Sequence, residues 1–296
     1  MLLLWPLRRK AQDLIESGHA WWLAPLSWLY AIAIFLRNWY YDGKKPQKVR
    51  PVVVSVGNIE VGGTGKTPLV LLLAERFSHR KVAIISRGYG AIPDEALLLA
   101  RRLPHVEVLI GKDRVALAKQ AKADLVILDD GFQYRKLYRD FDLVLVTGKK
   151  EHYLPWGRLR DTPRRLKSAH LIQTRLRLRR ILNAQGETLS SLQGREIAYF
   201  CGIARPERFR RTLLDLGAII TASYILADHE PIDFIQLQEL VKKAPLLITT
   251  EKDFVKLPPH PFPIFYLEME AEVLSDWESL IEKIDQKIDN NGLNLY

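Results

Sequence analysis

Cysteine is nearly absent from this chain, which has one, Cys201, among 296 residues. A single cysteine excludes a disulfide framework within one molecule and is typical of a reducing cytoplasm. Internal repeats and low-complexity segments are also absent, which argues against solenoid and disordered architectures. The composition, 48% hydrophobic and 26% charged, is that of a globular protein long enough for two domains.

The N-terminal segment lacks charged residues from Ala20 to Leu36. These seventeen residues are at the lower limit for a membrane-spanning helix, and Pro25 interrupts the first turns. Five of the seven tryptophans lie in the first forty residues, and basic residues flank the uncharged run. Aromatic rings with basic flanks suit the membrane–water interface. We therefore expect an interfacial helix, with a spanning anchor and an ordinary core helix as the alternatives.

Acidic residues are scarce between Arg158 and Arg180, where nine arginines and lysines accompany Asp161 alone. This stretch supplies much of the net charge of +10. A solvated basic face is the default interpretation. Because no nucleic-acid motif or aromatic interleaving accompanies the charge, we expect an anionic lipid or a phosphorylated substrate and no nucleic acid.

The most informative stretch runs from Pro51 to Phe77, where a valine-rich strand passes through the turn GGTGKT into an apolar-periodic helix. The glycines of this turn let successive backbone N–H groups point into one concavity, and the helix N-terminus adds partial positive charge. Lys66 can reach the β- and γ-phosphates of a nucleotide, and the Thr67 hydroxyl can bind Mg²⁺. The usual spacing has a glycine at position 60, where this chain has Glu60. The alternative is a glycine-rich turn with an incidental lysine.

Apolar strands alternate with helical patterns from Pro51 to Thr174, which predicts a doubly wound, mainly parallel α/β sheet with ligand sites at the carboxyl ends of its strands. The polar stretch from Asn183 to Gly194 reads as a linker, and a smaller α/β pattern follows it. We expect an N-terminal membrane-associated helix (1–42), a P-loop core domain (43–180) and a smaller α/β domain that closes over the active site (181–296).

Polar residues follow several predicted strands. Asp129 and Asp130 end the strand LVILDD and can serve a Mg²⁺ site, or they can simply form a turn. Gln133 on the same loop can orient a phosphate, and Arg87 follows another strand in SRGYG. These positions predict one phosphate and metal site.

Three further polar residues have two interpretations each. Asp94 opens a predicted helix, where it is either an N-cap or a catalytic base. Arg114 begins another helix and is either an anion contact or a solvated charge. His229 lies in a loop of the second α/β pattern and matters only if the two domains close on each other.

Several motifs together resemble the tetraacyldisaccharide 4′-kinase family of lipid A biosynthesis. In chain order they are VGNIEVGGTGKTP, SRGYG, DEALLLARRL, ILDDGFQYRKLYRD, LPWGRLRDTP, CGIARPERF, LADHEPID and LITTEKDFVKL. The resemblance covers about residues 50 to 257 and includes the variant spacing of the glycine loop. It implies a peripheral enzyme on the cytoplasmic face of the inner membrane, and we expect the protein to be a monomer. Such an enzyme uses ATP and Mg²⁺ to phosphorylate the 4′-hydroxyl of a tetraacyldisaccharide 1-phosphate.

The resemblance also implies roles for individual residues. Asp94, His229 and Lys66 would be catalytic, with Asp94 and His229 meeting across a cleft between the domains to deprotonate the sugar hydroxyl. Thr67, Asp129 and Asp130 would hold Mg²⁺. The nucleotide would be bound by Val61, Gly62, Gly63, Thr64, Gly65, Lys66, Thr67, Pro68, Arg87, Arg114, Gln133 and Arg160.

Two other classes of function remain open on the residues alone. One is a membrane-bound ATPase switch of the partitioning or targeting type, whose loops carry a lysine before the glycine pair where this chain has Glu60 and Val61. The other is a nucleic-acid NTPase, which the aromatic N-terminus disfavours.

Overall fold

The computed structural model describes residues 21–88, 94–147, 151–203, 205–226, 232–257, 260 and 262–293. The chain forms two compact units whose segments alternate along the sequence. The first unit comprises Met1–Arg87, His105–Arg175 and Val273–Tyr296, and the second comprises Gly88–Pro104 and Leu176–Glu272.

The elements alternate between strand and helix through most of the chain. The helices are α1 (Ala24–Asp42), α2 (Lys66–Arg76), α3 (Asp94–Arg102), α4 (Arg114–Gln120), α5 (Pro206–Asp215), α6 (Phe234–Lys243), α7 (Glu251–Phe254) and α8 (Trp277–Leu293). The strands are β1 (Val52–Asn58), β2 (Val82–Ser86), β3 (Glu107–Ile110), β4 (Leu125–Asp129), β5 (Phe141–Leu145), β6 (His170–Ile172), β7 (Thr174–Leu182), β8 (Thr188–Leu189), β9 (Glu196–Cys201), β10 (Ile219–Ile225), β11 (Leu247–Thr250) and β12 (Ile264–Val273). Short 3₁₀ helices span Trp21–Leu23 and Pro163–Ser168.

A parallel sheet in the order β3-β2-β4-β1-β5-β6 forms the core of the first unit. Its central strand β1 is buried along its whole length, which explains the run of β-branched valines, because such strands are covered on both faces. Helices α2 and α8 pack against β1, and apolar residues of α4 join those of β1, β2 and β4 in one core. The predicted α/β fold with a mainly parallel sheet is confirmed.

The sheet of the second unit has the order β10-β9-β11-β12-β7-β8. Alternate residues of β9 enter two different cores, with Ile197, Tyr199 and Cys201 on the side of α5 and Ala198 and Phe200 on the side of α6. Both faces are thus covered, which explains the uninterrupted apolar run of this strand. Burial raises the pKa of the Cys201 thiol to about 12, so this cysteine stays an uncharged core residue.

Helix α1 turns its polar side toward the first unit. Ser27, Ile34 and Asn38 are its buried residues and share one face of the helix. Its exposed side chains include eight large apolar or aromatic ones, namely Leu26, Trp28, Leu29, Ile32, Phe35, Leu36, Trp39 and Tyr40. Among the residues that the structure describes, no helix combines the length and hydropathy needed to cross a membrane.

The structure differs from the sequence prediction in three places. The basic stretch ends in a long strand, β7, and the predicted linker contains β8, which pairs with β7 as an antiparallel hairpin. Helix α8, expected in the C-terminal domain, belongs to the first unit, where Arg76 and Arg80 form ion pairs with its acidic residues. Helix α3, expected in the first domain, belongs to the second unit because it packs on α7.

Candidate functional site

The glycine loop between β1 and α2 has the geometry of a phosphate cradle. Gly62 and Gly65 have φ values of 101° and 88°, in the left-handed region that favours glycine. Gly65 caps α2, so Lys66 and Thr67 open the helix directly after the turn. Asn58 at the end of β1 donates a hydrogen bond from Nδ2 to the Thr64 hydroxyl at 2.8 Å, which holds the loop closed on its own strand.

Polar residues gather at the carboxyl ends of three neighbouring strands. β4 lies between β1 and β2, and Val56 of β1 is in register with Asp129 of β4. Ser86 at the end of β2 donates its hydroxyl to Asp129 Oδ2 at 3.3 Å. The parallel sheet therefore brings the glycine loop, the Asp pair and Ser86 to one edge.

Asp130 lies at the centre of a charged cluster. Its carboxylate accepts hydrogen bonds from both terminal nitrogens of Arg160, one at 3.0 Å, and Lys66 Nζ lies 3.7 Å from its Oδ1. Arg160 also bonds Asn58, and Arg114 donates to the Asp130 backbone carbonyl at 3.0 Å. Three cations that the sequence proposed as phosphate contacts thus surround one carboxylate.

Both the backbone conformation and the pKa of Asp130 depart from their ordinary values. Its φ of 50° is left-handed, which is uncommon outside glycine and is held here by the loop. Burial acts to raise the pKa of Asp130, but the Arg160 hydrogen bond and the charges of Lys66, Arg160 and Arg114 together hold that pKa below its usual value. The carboxylate is therefore ionised at neutral pH and neutralises cations that would otherwise repel one another.

The remaining predicted nucleotide contacts have varied surroundings. Arg114 is buried, with its guanidinium 5.3 Å from the Tyr134 ring centre, and is not the solvated charge that was its alternative. Gln133 donates from Nε2 to the Asn58 carbonyl at 2.8 Å. The Val61 carbonyl accepts a hydrogen bond from Arg158 Nε at 3.1 Å. Arg87 follows β2 and is exposed. Gly63 has open space where a side chain would be, and Pro68 lies in the first turn of α2.

The donor set at this edge suits a hard divalent cation. Asp129, Asp130, Thr67 and Ser86 offer only oxygen atoms, which Mg²⁺ prefers. Within the described residues, no group of three or more acidic, histidine or cysteine side chains forms a self-sufficient metal site. Mg²⁺ commonly takes one or two carboxylates and completes its shell with water and substrate phosphates, so the residues present fit it.

Arg160 is followed by Asp161, which ties helix α1 to the same loop. The fully buried Asp161 carboxylate accepts from Arg37 Nη2 at 3.1 Å, from Asn38 Nδ2 at 3.0 Å and from Arg165. The Tyr30 hydroxyl lies 3.5 Å from the Arg160 carbonyl. Two adjacent residues therefore connect the phosphate-loop edge to the N-terminal helix.

Asp94 opens α3 in the second unit and is buried. The nitrogens of Lys252 and Lys256 lie 3.5 and 3.4 Å from its Oδ2. Lys252 lies within the short helix α7 and Lys256 follows its end. Arg102 at the other end of α3 pairs with Glu251, so charged contacts explain why α3 belongs to this unit. His229 lies outside the described residues, and the predicted Asp94–His229 contact stays a prediction.

Sequence reasoning missed several residues that organise these clusters. Asn58, Asp161, Lys252 and Lys256 were present in quoted motifs but received no role. For Asn58 a usable signal existed, because a polar residue ending a fully buried strand needs a partner. For the two lysines no local signal exists, since their partner is about 160 residues away in the chain.

These features define a nucleotide-binding α/β protein with a variant phosphate loop. Beside that loop lies Asp130 with its cluster of basic side chains. A family model described as tetraacyldisaccharide-1-P 4′-kinase, LpxK, matches residues 19–289. The chain belongs to this family.

Individual relatives agree over most of the chain. Tetraacyldisaccharide 4′-kinase of Chlamydia trachomatis is 34% identical over 78% of this chain and 80% of its own length. The Anaeromyxobacter dehalogenans protein of the same name is 36% identical over 78% of this chain and 79% of its own. The crystal structure of LpxK from Aquifex aeolicus in complex with ATP superposes with a TM-score of 0.75 at 28% identity, covering 90% of this chain and 98% of that one.

Proposed function

We propose that this protein is an ATP-dependent kinase that phosphorylates the 4′-hydroxyl of a tetraacyldisaccharide 1-phosphate in lipid A biosynthesis. The observation that carries the proposal is the cluster of Lys66, Arg160 and Arg114 around Asp130, beside a glycine loop that can cradle phosphates. The family of the chain and the ATP in the Aquifex aeolicus structure support the same activity.

The reaction makes defined demands on this chain. The sugar oxygen forms a bond to the γ-phosphorus, the bond from that phosphorus to the β–γ bridging oxygen breaks, and ADP leaves with the electron pair. Charge spreads over the transferred group, so the task of the protein is to hold positive groups in place. Lys66 and Arg160 are suited to this, because each can give up its contact with the Asp130 carboxylate and bind a phosphate oxygen. The backbone N–H groups of the loop at 61–67 and Arg114, Gln133 and Arg87 would orient the nucleotide.

Mg²⁺ would be held by Thr67, Asp129 and Asp130. When bound, it supplies positive charge to the β- and γ-phosphates. The Ser86 hydroxyl orients the Asp129 carboxylate, as outer hydrogen bonds of metal ligands commonly do.

Asp94 would accept the proton of the sugar hydroxyl, with His229 as its partner. A sugar hydroxyl is far less acidic than a carboxylic acid, so a carboxylate can take the proton only late in transfer. Asp94 is buried at the first turn of α3, where its position is well defined.

Helix α1 would attach the enzyme, as a peripheral monomer, to the cytoplasmic face of the inner membrane. The polar side of α1 contacts the rest of the first unit; for example, the backbone N–H of Trp156 donates a hydrogen bond to Ser27 Oγ at 2.9 Å. The apolar side of the helix therefore faces outward. Trp28 and Trp39 are 72% and 71% exposed on that side. An exposed apolar patch of this kind marks a membrane or partner surface, and the lipid substrate favours the membrane.

Radiolabel transfer tests the activity directly. The purified full chain is incubated with γ-labelled ATP, Mg²⁺ and tetraacyldisaccharide 1-phosphate in detergent micelles, and the glycolipid is separated from nucleotide. We expect label at the 4′-position and no transfer to the same lipid already phosphorylated there. Hydrolysis of ATP without labelled lipid would instead support the ATPase-switch alternative.

The membrane assignment is tested by replacing Trp28 and Trp39 together with serine. Binding to vesicles that contain anionic lipid should fall by roughly tenfold or more, because both rings lose their place in the interface. The melting temperature should not change, since both side chains are exposed. Leu214→Ser on α5, another exposed apolar side chain, is the matched control. Unchanged vesicle binding by the double variant would refute the assignment.

A further inference from the structure

The Asp94 carboxylate is held from both sides. Its side chain is 3% exposed, and its Oδ1 accepts the backbone N–H of Glu95 at 3.0 Å. Its Oδ2 faces two ammonium groups, Lys256 at 3.4 Å and Lys252 at 3.5 Å. These contacts restrain both oxygens of the carboxylate. Because a carboxylate has about four lone-pair sites, it can still accept a proton.

Lys256 is itself immobilised. Its side chain is 6% exposed, and its Nζ lies 3.0 Å from Asp253 Oδ1. The other oxygen of Asp253 accepts the Gly202 N–H at 2.8 Å and the Thr250 hydroxyl at 2.6 Å. A chain of buried polar contacts therefore runs from the end of β9 through Asp253 and Lys256 to Asp94.

Such a chain is not an efficient way to stabilise the packing of α3. Removing charged groups from water costs several kcal/mol per ion, and only good geometry offsets this, so apolar packing would hold a helix equally well. What a buried charged chain adds is a defined position for each member. Lys252 is more exposed than Lys256, at 22%, and its Nζ lies 3.9 Å from the Glu95 carboxylate as well as close to Asp94.

We propose that Lys256, braced by Asp253, and Lys252 are positioning residues that fix the Asp94 carboxylate for proton removal from the acceptor hydroxyl. This inference rests on the proposed kinase function and on Asp94 as the base. Neither lysine needs to touch the substrate. Their effect is on the orientation of Asp94, and a misplacement of about 1 Å in a reacting group can lower a rate by roughly 10²-fold.

The test is a set of full-chain variants assayed by radiolabel transfer, with melting temperature and ATP binding recorded for each. Lys256→Met should lower kcat by roughly 10- to 100-fold while the KM for ATP stays within about twofold, since the phosphate loop is untouched. Lys252→Met should lower kcat less. Lys242→Met, which removes an exposed lysine paired to Glu239 at 2.7 Å in the same unit, should leave both parameters unchanged.

The decisive measurement repeats each lysine substitution in an Asp94→Asn background. If the lysines act through Asp94, each double variant should be no slower than Asp94→Asn alone, because there is no base left to position. Full multiplication of the two losses would show that Lys256 and Lys252 only stabilise the fold, and would overturn the inference. If Lys256→Met does not fold, the Lys252→Met pair decides by the same criterion.

The outcomes also separate this inference from the function on which it rests. No lipid phosphorylation by the parent protein would refute the kinase. Parent-like turnover in Asp94→Asn would refute Asp94 as the base. Loss of turnover in Asp94→Asn together with parent-like turnover in both lysine variants would refute the positioning role alone.

Discussion

Asp130 in the first unit and Asp94 in the second are both carboxylates held among basic side chains, yet their surroundings differ. Asp130 follows a strand with left-handed φ and is 14% exposed, with Lys66 3.7 Å away. Asp94 begins a helix and is 3% exposed, with Lys256 held by a further buried carboxylate, Asp253.

The difference between the two carboxylate environments indicates two different roles. A lysine at 3.7 Å from a partly exposed carboxylate is weakly held, so it can turn to a phosphate when a nucleotide arrives. A lysine locked between two buried carboxylates cannot leave without exposing uncompensated charge. The first cluster can therefore exchange partners during a reaction, and the second is suited to keep one group in one place.

The largest expected effect is that of Lys66→Ala. Removing a cation that stabilises the transferring phosphoryl group should lower kcat/KM on the order of 10² to 10⁴. The fold should survive, because Asp130 retains Arg160. Steady-state kinetics and a melting curve test this, with the surface variant Lys287→Ala as control.

If Lys66→Ala keeps its activity within about threefold of the parent, the cluster around Asp130 does not exchange partners with the nucleotide phosphates. The cluster around it would then be a structural ion pair, and the phosphate loop would need another source of charge.

A smaller loss is expected for Asp94→Ala, by roughly 10² in kcat with ATP affinity little changed. His229→Ala should lose less, because a partner tunes the base without replacing it. The double variant should be barely slower than Asp94→Ala if the two residues act as a dyad. Strictly multiplicative losses would rule the dyad out and leave Asp94 with its lysines alone.

The two clusters also differ in how far the sequence predicts them. Lys66 and Asp130 were predictable because each follows a buried parallel strand, and parallel strands deliver their carboxyl ends to one edge. The cations around Asp130 were named as well, but not Asp130 as their common partner. Asp94 was identified by resemblance, and its surroundings were not foreseen, because α3 leaves the unit of its sequence neighbours and packs on α7.

The N-terminal helix shows the same limit. Its composition predicted an interfacial segment, but the partition into a polar inner side and an apolar outer side depends on Asp161, more than 120 residues away. The strand β7 was missed for another reason, since its alternating arginines resemble a solvated face until acidic residues of the second unit, such as Glu268 and Glu272, are seen to pair with them.

The smallest expected effect is on the pH dependence of stability, and it tests whether the charge of Asp130 stabilises the fold. Because its pKa is lowered in the folded state, the ionised carboxylate stabilises the fold fully above the unfolded-state pKa of about 4, and this contribution is lost as pH falls through the lower folded-state pKa. Without nucleotide, Asp130→Asn should therefore melt below the parent at pH 7, and the gap should narrow in acid as the parent carboxylate is protonated. Melting temperatures measured from pH 7 to pH 3 test this. If the difference in melting temperature stays constant over that range, Asp130 stabilises the fold through its hydrogen bonds and not through its charge. Its negative charge would then not restrain Lys66 and Arg160 before a phosphate arrives.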